Sequence, residues 1–202
     1  LNTRIEAFLD VVESYRKLRE KNKLSPKESA DFKKAELKYN KKLKIIDSGG
    51  RSYLLTDPAV KVLTPSMGAE GTRALVAGFR YCGIKAESVP EPGEKELKKG
   101  RAYSSSKECL PLQLTLGSLL NYLDQRENKD EILAYFMPDA SGPCRFGQYS
   151  VLLNNIIEDQ KIENTAVFTL SADNSYAGLG KKFAVRVWQA SVTADVLADI
   201  ES

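Results

Sequence analysis

Three segments decide the fold: CLPLQLTLGSLLNYL at residues 109–123, ILAYFM at 132–137 and CRFGQY at 144–149. In the first, leucines recur every three or four residues, which is the spacing of one face of a helix. The second is a short continuous apolar run, typical of a strand that is buried on both faces. The third opens another apolar pattern of helical period. Together they predict a helix, a buried strand and a second helix.

The same alternation continues on both sides of these segments. Further strands are predicted at 53–55, 59–63, 84–89 and 165–170, and further helices at 69–81 and 183–200. The polar stretch 90–100 fits either a loop or a short helix. Strands alternating with helices of this length predict an α/β domain, with a parallel sheet covered by helices on both faces.

The N-terminal part of the chain has a different pattern. Thr3 and Glu6 fit a capping box, and a second helix start is indicated by Ser25, Pro26 and Glu28. Apolar residues follow each start at helical spacing, so residues 3–46 are predicted to form a helical hairpin. Two regions are therefore expected: the hairpin at 1–48 and the α/β domain at 51–202, with residues 47–50 as the hinge.

Charge and composition limit the class of protein. Residues 1–44 carry 13 Lys or Arg against 7 Asp or Glu, whereas the whole chain of 202 residues has a net charge of +3. The basic residues alternate with an amphipathic helical pattern, so we interpret them as a solvated helix face rather than a nucleic-acid surface. The apolar runs are too short for a membrane span and no signal peptide is visible, which predicts a cytoplasmic protein. Because the chain begins with Leu1, we expect it to be a piece of a longer protein.

The cysteines are the most informative polar residues. Cys109 and Cys144 each directly precede an apolar-periodic segment, so each is expected at or before the first turn of a helix. The free amides and positive dipole of a helix start favour the thiolate, which is the form that binds metal or attacks. Cys82 is predicted at the end of a helix, on its apolar face, and is interpreted as inert core. The chain has no histidine, which excludes Ser-His-Asp and Cys-His catalysis within it.

Four roles for Cys109 and Cys144 remain open on this reasoning. The first role is packing beneath a helix start, and the second is a disulfide, which a reducing compartment disfavours. Structural zinc fits poorly because there is no C-x-x-C pair and no histidine. The fourth role is a shared soft metal centre, above all an iron–sulfur cluster. Such clusters usually need four thiolates, so two cysteines are not sufficient.

Other polar residues are predicted near the two cysteines, because loops after parallel strands meet at the carboxyl edge of the sheet. Lys107 and Arg145, with the helix-start amides, are candidates for holding a phosphate or carboxylate. Ser141 and Asn174 lie in loops at the same predicted edge. A loop-capping role is the simpler interpretation of both.

The chain also resembles a known family over about residues 59–202. The first similar block is KECLP at 107–111 followed by LTLGSLL at 114–120, and the second is FMPDASGPCRFGQY at 136–149. The third is NSYAGLG at 174–180, with WQA at 188–190 and DVL at 195–197 beyond it. These blocks resemble the dehydratase-like part of the large acyl-CoA dehydratase activase-related proteins, of the (R)-2-hydroxyacyl-CoA dehydratase and benzoyl-CoA reductase group.

The resemblance implies a flavodoxin-like domain of a cytoplasmic protein in anaerobic metabolism, with an ATPase activator module elsewhere on the chain. In the dehydratases of this group, three cysteines hold a [4Fe–4S] cluster that passes one electron to a thioester substrate. Cys109 and Cys144 match cysteines of the family motifs and are the implied metal ligands. Cys82 does not match, because it is predicted at the other edge of the sheet. Lys107, Ser141, Arg145 and Asn174 are the residues that we expect to contact the cofactor.

Two functions from different classes follow as expectations. The first is an iron–sulfur electron-transfer domain, a component of a redox enzyme system that completes its cluster with a neighbouring domain or subunit. The second is a non-redox module that binds a CoA-like anion or a partner subunit, with the cysteines as packing residues. We do not expect a membrane or a nucleic acid as partner.

Overall fold

The computed structural model describes residues 32–40, 42–105, 107–139, 142, 144–170 and 179–201. Its strands are β1 Glu36–Asn40, β2 Lys42–Ile46, β3 Ser52–Leu54, β4 Val60–Thr64, β5 Ala86–Ser88, β6 Ile132–Phe136 and β7 Thr165–Phe168. Its α-helices are α1 Ala69–Tyr81, α2 Glu94–Ala102, α3 Leu110–Gln125, α4 Tyr149–Asp159 and α5 Gly180–Glu201. A 3-10 turn at Arg145–Gln148 leads directly into α4. Residues 90–100, whose sequence fits either a loop or a short helix, form a loop and most of α2.

The central sheet has four parallel strands in the order β5-β4-β6-β7. Val62 pairs with Ala86 on one side and with Ala134 on the other, and Ala134 in turn pairs with Ala166. The first strand of the sheet therefore lies between the second and the third, which is the flavodoxin-like order. This confirms the predicted α/β fold.

Two apolar cores cover the two faces of this sheet. On one face, four phenylalanine rings from α1, β6, β7 and α5 pack together, with centroids 5.0–5.9 Å apart: Phe79, Phe136, Phe168 and Phe183. On the other face, α3 and α4 bury Leu116 and Leu153 against Tyr135 of β6. The phenol of Tyr135 donates a hydrogen bond of 3.0 Å to the carbonyl oxygen of Thr115. Helices therefore cover both faces, as predicted.

The predicted helical hairpin is wrong over residues 36–46, and residues 1–31 lie outside the described part of the chain. β1, β2 and β3 form a separate antiparallel sheet, in which Leu37 pairs with Ile45 and Tyr39 with Leu43. The apolar residues here fit a period of two as well as a period of 3.6, and pairing with a neighbouring strand decides between them. Ile45 is buried in the same core as Val60, so this core includes residues on both sides of the predicted hinge.

The crossing of α2 over α3 depends on two glycines. A Cβ atom at Gly100 would lie 1.8 Å from the carbonyl oxygen of Gln113, and one at Gly117 would lie 1.8 Å from that of Glu96. Each helix thus packs directly on the backbone of the other, which only glycine permits. This close packing fixes the position of α3, and with it the loop that carries Cys109.

None of the described helices combines the length and the apolar character that crossing a membrane requires.

Candidate functional site

Cys109 lies at the start of α3, as predicted. It is the N-cap residue, with an extended backbone conformation (φ −70°, ψ 153°), and proline follows in the first turn. Helix α3 leads into β6, so it runs against the strand direction and begins at the carboxyl edge of the sheet. The Cys109 side chain is half-buried and packs against the core beneath α3 and α4.

Cys144 also precedes a helical segment, although this segment is not an α-helix. Cys144 is the N-cap residue of the four-residue 3-10 turn Arg145–Gln148, and α4 begins only at Tyr149. The loop that carries it follows β6, which places it at the same carboxyl edge as Cys109. Its side chain is exposed, and all three cysteines of the chain are free.

Tyr149 lies against the thiol of Cys109. Its hydroxyl lies 2.6 Å from the sulfur of Cys109, where either atom can donate the hydrogen. Burial raises the pKa of Tyr149, and the hydrogen bond to Cys109 raises it further. The Tyr149 side chain is almost fully buried, so Cys109 is in contact with a phenol that is largely withdrawn from water. The ring of Phe146 packs edge-on against that of Tyr149, with centroids 5.0 Å apart.

Hydrogen bonds hold the two cysteine loops together. The Nη1 atom of Arg145 donates to the carbonyl oxygen of Lys107 over 2.8 Å. Within the first loop, the Ser105 hydroxyl and the Lys107 amide donate to the carboxylate of Glu108, at 2.8 and 3.1 Å. These hydrogen bonds lower the pKa of Glu108, and the bond from Ser105 has the largest effect. The loop before α3 and the turn before α4 therefore form one surface.

A cavity of about 310 Å³ opens beside Cys109. Lys107 and Arg145 line it together with apolar side chains of α3 and α4, among them Leu112 and Val151. The cavity combines an apolar wall with two cations, the carboxylate of Glu108 and a thiol, so its net charge of +1 suits a ligand with an anionic end.

The structure brings only some of the predicted site residues together. Lys107, Cys109 and Arg145 line the same cavity. Ser141 and Asn174 lie outside the described residues. Cys82 ends α1 at the opposite edge of the sheet and packs half-buried against the other core, where burial raises its thiol pKa.

The described residues supply only part of the ligand set that the hypothesis of a metal centre requires. Within the described ranges, no three or more Cys, Asp or Glu side chains are grouped so that they could hold a metal ion, and the chain has no histidine. Cys109 and Cys144 would supply two of the four thiolates that an iron–sulfur cluster usually takes.

Sequence reasoning missed the role of Tyr149. Its spacing with Leu153 and Ile157 marks it as a core position of α4, and the structure does bury it. Nothing in that pattern shows that its hydroxyl reaches a sulfur 40 positions earlier in the chain. The one sequence feature that could have drawn attention to Tyr149 is its position five residues after Cys144 in CRFGQY.

Comparison with known proteins does not assign the chain to a family. The chain matches no protein-family model, no curated protein and no solved structure.

Proposed function

We propose that Cys109 and Cys144 provide two ligands of an iron–sulfur centre, in an electron-transfer domain associated with the dehydration or reduction of acyl-CoA thioesters. One observation carries the proposal: the two thiols, 35 positions apart in the chain, each stand at the start of a helical segment, and a hydrogen bond from Arg145 to the carbonyl oxygen of Lys107 joins their two loops. The resemblance in the sequence supplies the substrate class. The centre would contribute one-electron transfer.

The surroundings of the two thiols suit an anionic centre. Helix starts present amide hydrogens and a positive partial charge, which favour thiolates and a negatively charged cluster. Lys107 and Arg145 add two positive charges on the same surface. Cys144 is exposed, so a neighbouring domain or subunit that carries the remaining ligands would have access to it.

The protein's own groups would hold and shield the centre. The hydroxyl of Tyr149 fixes the sulfur of Cys109 by a hydrogen bond. Leu112 and Phe146 pack in the same core and keep water from the inner side. A hydrogen bond of this kind to a ligand atom orients the ligand and tunes the potential of a centre.

Anaerobic reconstitution with iron and sulfide tests the proposal, with dithiothreitol present to complete the ligand set. Iron content, visible absorption and the EPR spectrum of the reduced protein would be recorded for the wild type, Cys109→Ser and Cys144→Ser, with Cys82→Ser as the matched control. We expect the wild type and the control to take up iron equally and each of the other variants to lose most of it. A colourless wild type, or equal iron uptake by all four proteins, would contradict the proposal.

A second function is favoured by the cavity beside Cys109. Its apolar wall and the two cations, Lys107 and Arg145, suit the acyl chain and an anionic group of a CoA-like ligand without any metal. In this case the cysteines are packing residues. Calorimetry with CoA thioesters separates the two functions. Binding that survives both cysteine substitutions and is lost in Arg145→Gln supports the binding module. Binding that requires both cysteines contradicts it.

A further inference from the structure

A larger cavity, of about 510 Å³, lies away from the cysteines, on the side of the edge strand β5. The residues after β5, the first turn of α2, the second half of α3 and the segment that follows α3 enclose it. Its volume is within the range of small-molecule sites. Its wall is partly polar, with hydroxyl groups from Ser88 and Ser118 and amide groups from Asn121, Gln125 and Asn128.

Arg126, directly after α3, is the unusual group in this wall. Its side chain is half-buried, and its Nε and Nη1 atoms are sealed from solvent without a hydrogen-bond partner. Burial lowers the pKa of Arg126, and the more distant carboxylates of Glu131 and Asp130 offset this only in part. A guanidinium group withdrawn from water without an anion bonded to it is destabilising.

Three other charged groups of the wall, Lys61, Glu96 and Glu131, already have bonded partners. Lys61 lies 2.8 Å from a carboxylate oxygen of Glu131 and 2.9 Å from one of Glu87. The carboxylate of Glu96 accepts hydrogen bonds from the amide of Gly93 and the side chain of Asn121, at 2.9 and 2.8 Å. Arg126 is therefore the cation of this described wall that has no bonded anion.

The net charge of the wall limits the ligand. Two cations, Lys61 and Arg126, face three carboxylates, from Glu96, Glu127 and Glu131. A polyanion such as a nucleotide would be repelled by this wall, while a single carboxylate would be attracted to Arg126. A ligand that also carries an ammonium group would find acceptors in the carboxylates of Glu127 and Glu131.

We propose that this cavity binds a small zwitterionic carboxylate, of amino-acid or dipeptide size, with its carboxylate directed to Arg126. The ligand places a negative charge beside this guanidinium group, which lines the cavity, and the hydroxyl and amide groups of the wall bind its remaining polar atoms. The site is separate from the cysteine surface and does not depend on the function proposed above.

Thermal unfolding with pools of amino acids and dipeptides tests the proposal, with inorganic phosphate and acetate as comparison anions. A ligand at about 100 times its dissociation constant should raise the midpoint of the wild type by roughly 5–10 °C. Acetate and phosphate should raise it much less. Arg126→Met should unfold at a higher temperature than the wild type without ligand, because an unpaired buried charge is replaced by an apolar chain, and should lose the ligand-induced shift.

A second variant keeps the test independent of Arg126. Gln125 is an exposed residue of α3 that lines the cavity, so Gln125→Trp should fill part of it and abolish the ligand-induced shift without unfolding the protein. Three results would overturn the proposal: no pool shifts the midpoint, phosphate shifts it more than any carboxylate, or the shift persists in both variants.

Discussion

At the scale of single residues, Tyr149 is the group on which the candidate site depends. Its hydroxyl lies 2.6 Å from the Cys109 sulfur, and burial and this hydrogen bond raise its pKa. A buried hydroxyl without a partner is destabilising, so the contact stabilises the fold and orients the thiol at the same time.

Tyr149→Phe is expected to slow alkylation of Cys109 by iodoacetamide about threefold, because a hydrogen bond to the attacking sulfur contributes on the order of 1.5 kcal/mol and about half of this is offset by the greater nucleophilicity of the freed sulfur. The rate would be followed by mass spectrometry of the Cys109 peptide in iron-free protein. Tyr135→Phe is the control, since it removes a buried phenol that bonds to Thr115. An unchanged Cys109 rate, or the same change in both variants, would show that the hydroxyl does not act on the thiol.

Asp47 stabilises the turn between β2 and β3. Its two carboxylate oxygens accept hydrogen bonds from the backbone amide and the Nε atom of Arg51, at 2.8 and 2.9 Å. Burial tends to raise the pKa of Asp47, but the hydrogen bonds and charge of Arg51 and the amide of Gly49 outweigh it, and the pKa is lowered. The carboxylate thus contributes stability above its unfolded pKa of about 3.9, and this contribution is lost as the pH falls through the lower folded value.

Asp47→Asn should therefore reduce the free energy of unfolding at pH 7 by about 1–3 kcal/mol. The difference from the wild type should shrink as the pH falls below about 4, because the wild-type carboxyl is then protonated as well. Urea unfolding at pH 7 and pH 3 measures both values, with the exposed Asp159→Asn as control. A variant as stable as the wild type at pH 7 would refute this role.

At the scale of elements, helices α2 and α3 are held together by backbone contact. Gly100 and Gly117 each face the other helix at a distance that leaves no room for a Cβ atom. Outside this contact, the Lys99 side chain forms an ion pair with Asp124 of α3. Since Cys109 lies between these two helices in the chain, their crossing determines the position of its thiol.

Gly100→Ala should destabilise the protein by about 3 kcal/mol, because the added methyl group meets a backbone oxygen that cannot move away alone. Gly71→Ala is the matched control: it lies within α1, and a Cβ atom there would have no atom within 4 Å. The control should be neutral or more stable by about 0.5–1 kcal/mol. Denaturant unfolding compares them, and equal stabilities of the two variants would refute the close crossing.

At the scale of the whole molecule, the sequence predicted the parallel sheet because its strands are continuous apolar runs bounded by turns. It also predicted the ends of α1 correctly, since Gly68 and Gly83 adopt positive φ angles on either side of the helix. Residues 36–46 were misjudged because their apolar spacing fits both periods, and only pairing in the antiparallel sheet decides.

The side-chain contacts of the sites were less predictable, because they depend on packing between distant segments. Arg126 stands in the polar run RENKD, which looks exposed, yet the fold withdraws two of its nitrogen atoms from water. The approach of Tyr149 to Cys109 likewise requires α3 and α4 to lie on the same face of the sheet. Sequence patterns place residues on elements, whereas these contacts arise only when the elements pack.

The central claim, that Cys109 and Cys144 act on one metal centre, is tested most directly by anaerobic titration with cobalt(II). A thiolate bound to cobalt produces a charge-transfer band, and its intensity grows with the number of sulfur ligands. We predict a band that saturates at one cobalt per chain, falls to half or less in both Cys109→Ser and Cys144→Ser, and is unchanged in Cys82→Ser. No band in the wild type, or a band that either of the first two variants leaves intact, would contradict the claim.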